Sequence, residues 1–469
     1  MFDREDPKIL WVSPDSAESI GTYDKPFSSL ASALKRVAPG ETIILKRGIY
    51  SEDQTIEISG NAKMPIQICV ETPGEVIIEG ACWYFYDTSD LIISGMIFKN
   101  APFGAISVVG NCRRNRFHSL QFINCGLSGK ASCTFYFGGA GGRFNLVEDC
   151  DFSRTEARNS SSVTAENASI ALMVSEGDNQ GGNPLKNHLF RRNKFSRYDY
   201  AILLGSNDSS DLESGHIVEY NHIEHCATDG IVVKCGDAQV RGNLIQNSRN
   251  AILMSSGNCS TVENNRILDS LTGINVYGTG HTVYNNCLVR CTEAAVTANC
   301  DSERMNAASN LFIQENTIVD CGVSENGCAL CLEQDTSGII QKNLIYGSEN
   351  LFKGTKCETS GPCKEPQFVI DDNLASGILQ QCTGVTLSQV SFKDLSQDDY
   401  SNESGYGAQG WMLTPEAFDP LGDELPDDEV DYVEASVLED DEGELVIPDD
   451  GDGDNIFGSF YRDMLDQLN

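Results

Sequence analysis

A short motif of alternating apolar and polar positions, V-x-x-N-x-I, recurs along the middle of the chain. Its copies carry their asparagines at Asn193, Asn221, Asn243, Asn265, Asn286, Asn316 and Asn343. The spacing is 21 or 22 residues between the central copies and 27 to 30 residues elsewhere. Strands that return at such an interval are typical of solenoids, in which each coil stacks on the preceding one. The pattern predicts an all-β fold, a right-handed parallel β-helix in which each asparagine bonds to its copy about 4.8 Å away.

A second apolar segment can be aligned in six coils, over residues 201–205, 230–234, 251–255, 273–277, 295–299 and 329–333. Because successive side chains of a strand point to opposite faces, the third and fifth residues of each segment are predicted to face outward. These outward positions include Ser255, Asn275, Tyr277, Asn299 and Glu333. Such side chains predict a face that binds an extended sugar chain, and we add Arg249 as a further substrate-binding residue.

The ends of the chain differ from this repeat. We divide the sequence into an N-terminal cap (1–50), the parallel β-helix (51–395), an acidic and largely disordered linker (396–455) and a short amphipathic helix (456–469). The cap is predicted to contain a helix from Ser28 to Arg36 and a strand from Thr42 to Leu45. The final helix has an apolar stripe, so it is predicted to dock on the body of this chain or on a partner protein.

The strongly negative net charge argues against some classes of binding partner for this chain. The chain has 69 acidic and 33 basic residues, a net charge of −36, and 21 acidic residues but one base, Arg462, follow residue 400. A nucleic-acid partner is not expected, because phosphate binding needs clustered Lys and Arg. No run of eighteen apolar residues occurs, so no membrane-spanning helix is expected. The N-terminus carries no recognisable secretory signal, which leaves a cytoplasmic location and a non-classical route to the cell exterior both open.

The 18 cysteines are spread over the whole chain, whereas disulfide scaffolds are short and dense in cysteine. We therefore expect most of them to be reduced and to behave as small buried residues. Six are predicted to stack inward at comparable turn positions: Cys150, Cys226, Cys259, Cys287, Cys291 and Cys321.

Two stretches of sequence resemble known β-helix proteins. The N-terminal segments VSP, GTYDKPF, APGETIIL and GIYSE resemble the opening of many pectate-lyase-like proteins. Residues 228–286 resemble the core of the polysaccharide lyase family that includes alginate lyase and chondroitinase B. In that family a Lys ends one strand, an Arg ends the strand of the next coil, and a His-x-Val-x-Asn-Asn turn follows. Lys234 and the turn at His281 match this pattern, but Ser255 and Asn275 stand where the family has arginines.

The resemblance implies cleavage of an acidic polysaccharide by β-elimination, with Lys234 as the Brønsted base. It also places Asp229 near a family carboxylate that binds calcium, so calcium is the implied cofactor. The apolar neighbours Val232 and Leu253 favour the neutral, basic form of Lys234. Elimination also requires a positive group against the uronate carboxylate. Without the family arginine, calcium or another cation, such as Arg249 or Arg241, must provide it.

Two other functions stay open at this point. A β-helix glycoside hydrolase needs two carboxyl groups across the scissile bond, for which the candidates are Asp199, Asp208, Asp229, Asp237 and Glu333. A structural or adhesive β-helix, such as a surface-appendage or tail-spike-like subunit, needs no catalytic group and would attach through its C-terminal helix.

Overall fold

The computed structural model describes residues 2–17, 20–126, 131–164, 167–176, 185–205, 213–300, 305–348, 350–355, 364–376, 383–410 and 412. These residues form three long parallel β-sheets, which the chain visits in the order I, II, III in each coil. Within these ranges the chain forms an α-helix, Leu30–Leu34, and single turns of 3-10 helix at Ser160–Ser162 and Leu395–Gln397. No helix in this part of the chain is long and apolar enough to cross a membrane.

The strands of each sheet follow one another in chain order. Sheet I contains Ile9–Val12, Thr42–Leu45, Ile66–Val70, Leu91–Ser94, Arg116–His118, Leu146–Glu148, Leu189–Arg191, Ile217–Glu219, Gln239–Arg241, Thr261–Glu263, Thr282–Tyr284, Leu311–Gln314, Ser337–Gln341 and Gln367–Asp371. Sheet II contains Gly48–Tyr50, Val76–Glu79, Ile97–Lys99, Gln121–Ile123, Asp151–Ser153, Lys194–Ser196, His222–Glu224, Leu244–Gln246, Arg266–Leu268, Cys287–Val289, Thr317–Val319, Leu344–Tyr346, Asn373–Ser376 and Val385–Leu387. Sheet III contains Gln54–Ile56, Trp83–Tyr86, Ile106–Val109, Ser132–Gly139, Ser169–Glu176, Tyr200–Leu204, Asp229–Val233, Asn250–Met254, Thr272–Val276, Ala294–Ala298, Cys328–Glu333 and Phe352–Thr355. This arrangement confirms the predicted parallel β-helix.

An asparagine ladder runs through the turns between sheets I and II. The backbone N–H of Asn221 donates to Oδ1 of Asn243 at 2.9 Å, and that of Asn243 donates to Oδ1 of Asn265 at 2.9 Å. The same bond recurs at each step from Asn193 to Asn373. Because each side chain satisfies a buried N–H group of the neighbouring coil, the ladder fixes the register of the stack. The predicted bonding between repeats is confirmed.

A second interior ladder, at the turns between sheets III and I, contains histidines. The N–H of His188 donates to Nδ1 of His216 at 3.2 Å, and the N–H of Ser260 donates to Nδ1 of His281 at 3.2 Å. The rings of His188 and His216 stack with centroids 5.1 Å apart. Burial lowers the pKa of His216 to about 3 and also lowers the pKa of His281. These histidines therefore serve as neutral acceptors inside the solenoid.

The prediction of inward-stacked cysteines holds for four of the six positions and is wrong for two, Cys259 and Cys287. Cys150, Cys226, Cys291 and Cys321 are buried among the core side chains. Cys259 is exposed, because its backbone is left-handed (φ 56°) at a turn that directs the side chain outward. Cys287 is buried outside this core, in a cluster on sheet II.

The N-terminal region joins the solenoid directly. Its helix, Leu30–Leu34, is shorter than predicted, and its side chains Leu30, Ala33 and Leu34 are buried. The strand Thr42–Leu45 forms as predicted and pairs with Ile9–Val12 in sheet I. Sheet I thus begins within the segment 1–50.

The end of the described chain returns along sheet II. Strands Phe392–Asp394 and Asp399–Asn402 form an antiparallel pair, and the chain continues to Met412. Arg266 donates to the carbonyl oxygens of Asp398 and Met412, and Arg290 donates to the carboxylate of Asp398 at 2.8 Å. The first residues of the predicted linker 396–455 therefore pack on the solenoid. Its remainder and the predicted helix 456–469 lie outside the described residues.

Candidate functional site

Lys234 lies at the end of the sheet III strand Asp229–Val233, on the outer face of the solenoid. The third-position column is in register over six coils: Leu203, Val232, Leu253, Asn275, Thr297 and Cys331. The N–H of Lys234 donates to the carbonyl of Leu204, and that of Ser255 donates to the carbonyl of Val233. Lys234 is only 8% exposed and Ser255 only 5%. The two predicted residues are thus neighbours on adjacent coils, on a largely covered surface.

A polar network lies at the start of the sheet III strands, at the opposite end of the strand Asp229–Val233 from Lys234. The side-chain amide of Asn250 donates to Oδ1 of Asp229 at 2.6 Å, and that of Asn275 donates to Oδ1 of Asn250 at 2.8 Å. Asp229 is 4% exposed, and burial raises its pKa to about 6. The Asn250 bond and the charges of Arg249 and Lys234 oppose that increase. A carboxyl group with a perturbed pKa next to two cations is a frequent feature of functional sites.

The other predicted residues lie further along the same face or at its edge. The pKa of Tyr277 is raised by burial, Glu333 and Cys300, so these three side chains are close together. Glu333 also accepts from the N–H of Cys300 at 2.8 Å. Asn299 is 8% exposed and donates to the carbonyl of Val276 at 3.1 Å. Arg249 is exposed at the edge nearest Asp229. The predicted residues therefore form two groups, one around Lys234 and one around Tyr277.

Arg241 does not belong to either group. Its side chain is on sheet I, where it pairs with Glu219 at 2.8 Å. Of the two arginines considered as a replacement for the family arginine, only Arg249 is on the correct side of the solenoid.

Two residues of the network were missed by sequence reasoning, Asn250 and Tyr200. Tyr200, Asp229 and Asn250 are in register on three successive coils. The pKa of Tyr200 is raised by burial and by Asp229, among other groups, which places its hydroxyl near that carboxyl group. The signal was present in the sequence, because these residues immediately precede the aligned apolar segments. The alignment began one position too late to include them.

Asp199, a candidate for the hydrolase reaction, forms an ion pair and hydrogen bonds inside the protein. Its Oδ2 accepts from Arg158 at 2.7 Å and from the N–H and hydroxyl of Ser169. The side chain is completely buried. Asp199 therefore anchors the segment around Arg158 and offers no exposed carboxyl group.

The donor set around Asp229 is poor for calcium. Ca²⁺ takes about six to eight oxygen ligands and favours several carboxylates. Among the described residues no group of three or more His, Cys, Asp and Glu side chains is placed to hold a metal ion. The positive charges of Lys234 and Arg249 act on Asp229 as well. The residues present do not fit a calcium site, and no step of the chemistry below depends on the ion.

The outer face of sheet III also has an apolar part. Met173, Leu203 and Val232 belong to a buried cluster between Lys234 and the N-terminal coils. Beyond that cluster lies a cavity of about 280 Å³ lined by Tyr84, Phe103 and other residues. This cavity is a feature separate from the site of Lys234.

Family models match two parts of the chain. Residues 179–314 match the model described as "Right handed beta helix region", and residues 25–129 match "Chondroitinase B". An uncharacterized protein of Bacillus subtilis, YwoF, is 30% identical over 102 residues, which are 19% of this chain and 22% of that protein. A pectate lyase of Emericella nidulans is 36% identical over 74 residues, 15% of this chain and 18% of that enzyme. The matches thus span about a fifth of these relatives.

Solved structures of similar fold cover far more of the chain. The alginate lyase AlyGC of polysaccharide lyase family 6 has a TM-score of 0.67 at 20% identity, over 89% of this chain and 59% of that one. A mannuronic acid specific family 6 lyase from human gut microbiota has a TM-score of 0.60 at 20% identity, over 83% and 92%. An alginate lyase of this family in complex with a trisaccharide has a TM-score of 0.56 at 17% identity, over 87% and 94%. The chain has a right-handed parallel β-helix fold of the polysaccharide lyase type.

Proposed function

We propose that this protein is a polysaccharide lyase that binds an acidic polysaccharide on the outer face of sheet III and cleaves it by β-elimination. The observation that carries the proposal is the place of Lys234 on the outer face of sheet III, at the end of the strand that begins at Asp229, where its charge and that of Arg249 act on the buried carboxyl group. The resemblance of residues 228–286 to the lyase core, and the lyases of similar fold, support the same activity. They supply no substrate for this chain.

In this reaction the neutral amine of Lys234 removes the proton from C5 of a uronate unit. The electron pair forms the C4=C5 double bond, and the bond from C4 to the glycosidic oxygen breaks. The resulting ammonium group returns its proton to the departing oxygen, so that Lys234 acts first as base and then as acid. Arg249 is proposed to face the uronate carboxylate, and the amides of Asn250 and Asn275 to orient the sugar. Ser255, Tyr277, Asn299 and Glu333 extend the binding face.

The test is product formation by the full chain with alginate, pectate and dermatan sulfate. The unsaturated uronate is followed by its ultraviolet absorbance, with calcium and with a chelator. We expect product from the parent protein and none from Lys234→Ala, while Lys342→Ala, which changes an exposed lysine on a remote turn, keeps the parent rate. An equal rate for Lys234→Ala and the parent would refute the proposed base. A chelator-sensitive rate would restore the calcium prediction at Asp229.

A second candidate function is carbohydrate binding without cleavage, as in a structural or adhesive β-helix. The observation that favours it is Ser255, which occupies the position of the family arginine one coil from Lys234. In that case the parent protein binds oligosaccharides and forms no unsaturated product. We also propose that the helix Leu30–Leu34 is part of an N-terminal cap of the solenoid, that the acidic residues after 400 form a tail, and that residues 456–469 bind a protein partner.

A further inference from the structure

Three basic residues form a column on successive coils, at the turns that lead from sheet III to sheet I. Arg113 bridges in parallel to Arg143, and Arg143 bridges to Lys186. All three side chains are partly exposed. Parallel bridging places neighbouring members about 4.8 Å apart along the solenoid axis. We call Arg113, Arg143 and Lys186 the basic column.

The basic column lies in the part of the chain where the charge balance is reversed. Residues 101–200 contain 12 basic and 8 acidic residues, whereas the whole chain contains 33 and 69. Within the basic column, Arg113 donates through Nε to Oδ1 of Asn111 at 2.7 Å. Like charges on successive coils repel one another. A bound polyanion would remove that repulsion.

The column is aligned with Lys234 along the solenoid axis. The N–H of Asn187 donates to the carbonyl of Ser214 at 2.8 Å, and that of Ser214 donates to the carbonyl of Gly236 at 3.0 Å. The same turn therefore continues, two coils after Lys186, at Gly236, which is two residues beyond Lys234. On the other side of Lys234 the corresponding positions are uncharged: Asn258, Thr279 and Ser309. The cations thus lie on one side of Lys234 only, with Glu213 between.

We propose that the basic column binds the carboxylates of successive uronate units in an acidic polysaccharide that runs along the solenoid axis toward Lys234. This inference rests on the proposed function, because it assigns a second set of contacts to the same substrate. The spacing of one cation per coil is close to the length of one unit in an extended polyuronate. A chain reaching the column is longer than one that fills only the site at Lys234, so the contribution of the column depends on oligosaccharide length.

The test compares Lys186→Gln, Arg143→Gln and the double variant, each in full-length protein that also carries Lys234→Ala to prevent turnover. Binding of a uronate disaccharide and octasaccharide is measured by calorimetry at about 50 and 200 mM salt. Each neutralised cation is expected to weaken octasaccharide binding about fivefold, to reduce its salt dependence and to leave disaccharide binding, which does not extend to Lys186, unchanged. Arg143→Lys keeps the charge and should keep the salt dependence. Lys342→Gln is the control for removing a remote charge.

The outcomes separate the two proposals. Octasaccharide binding that is equal in the double variant and in Lys342→Gln overturns the basic column, whether or not the parent forms product. Absence of octasaccharide binding by the starting protein overturns it as well. Weakened binding in the column variants, together with absence of product from the parent, supports the column and refutes the lyase activity.

Discussion

Replacing Asp229 by Asn is expected to stabilise the protein at neutral pH, because burial of the native, charged carboxylate lowers the free energy of unfolding. Burial raises its pKa from 3.8 to about 6, and Asp229 is only 4% exposed. The folded chain binds this proton more tightly than the unfolded chain does. The stabilisation that results from protonated Asp229 is therefore complete below pH 4 and is lost as the pH rises through 6. A shift of two units at 1.36 kcal/mol each corresponds to about 3 kcal/mol. Asp229→Asn removes that loss and keeps an oxygen that can accept from Asn250.

The assay is urea unfolding of both proteins between pH 4 and pH 8, followed by circular dichroism. The variant should match the parent near pH 4 and exceed it by up to about 3 kcal/mol at pH 8. Asp371→Asn, which changes an exposed carboxylate on the last strand of sheet I, controls for the loss of one negative charge. A difference that is the same at both pH values would refute the argument from burial. If the variant were less stable at pH 8, the contacts of the charged form would outweigh its desolvation.

Three further predictions concern the ladders and the site. The pKa of His216 in the folded chain, about 3, lies below its value in the unfolded chain, so the stabilisation by the neutral imidazole is lost as the pH falls. His216→Asn should therefore reduce the decrease in the free energy of unfolding between pH 8 and pH 5 by about 2 kcal/mol, measured by urea unfolding. Asn265→Ala leaves buried ladder groups on both sides unsatisfied and should cost about 3 kcal/mol, whereas Thr261→Ala on the outer face should cost less than about 0.5 kcal/mol. Ser255→Arg adds a second cation to Arg249, one coil from Lys234, and should raise lyase product formation at least about tenfold. An unchanged rate in the same absorbance assay would contradict the expectation that Arg249 alone neutralises the uronate carboxylate incompletely.

The fold could be predicted because the repeat is visible in the spacing of asparagines that form the ladder between coils. Asn221, Asn243 and Asn265 recur at one interval, and each bonds to the backbone of a neighbouring coil. The outward columns followed from the same alignment, since alternation within a strand is a property of the backbone. The position of Cys259 could not be predicted, because a left-handed turn residue changes the direction of its side chain without changing its place in the repeat.

The site was predicted only in part, because burial on the outer face is not a property of the repeat. Lys234 and Ser255 were expected on an open strip, yet both are nearly covered. Asn250 was missed although it bonds to both Asp229 and Asn275, since nothing in a strand sequence indicates which polar neighbours will bond across coils. Arg241 was considered as a cation for the site, but its strand belongs to sheet I. Charged side chains come close together when their strands belong to the same sheet, whatever their distance in sequence.

The two sides of a sheet III strand are under different constraints, and this bears on Ser255. Inward side chains and the ladders set the register, so changes there alter the fold. Outward positions are exchangeable, because the column of Lys234 continues with Ser255, Tyr277, Asn299 and Glu333 in the following coils. A Lys or an Arg at such a position is therefore not required for folding. Lys234 and the serine in the neighbouring coil can therefore serve the proposed binding or cleavage without a role in folding. Ser255→Arg tests the position of the serine and leaves Lys234 unchanged.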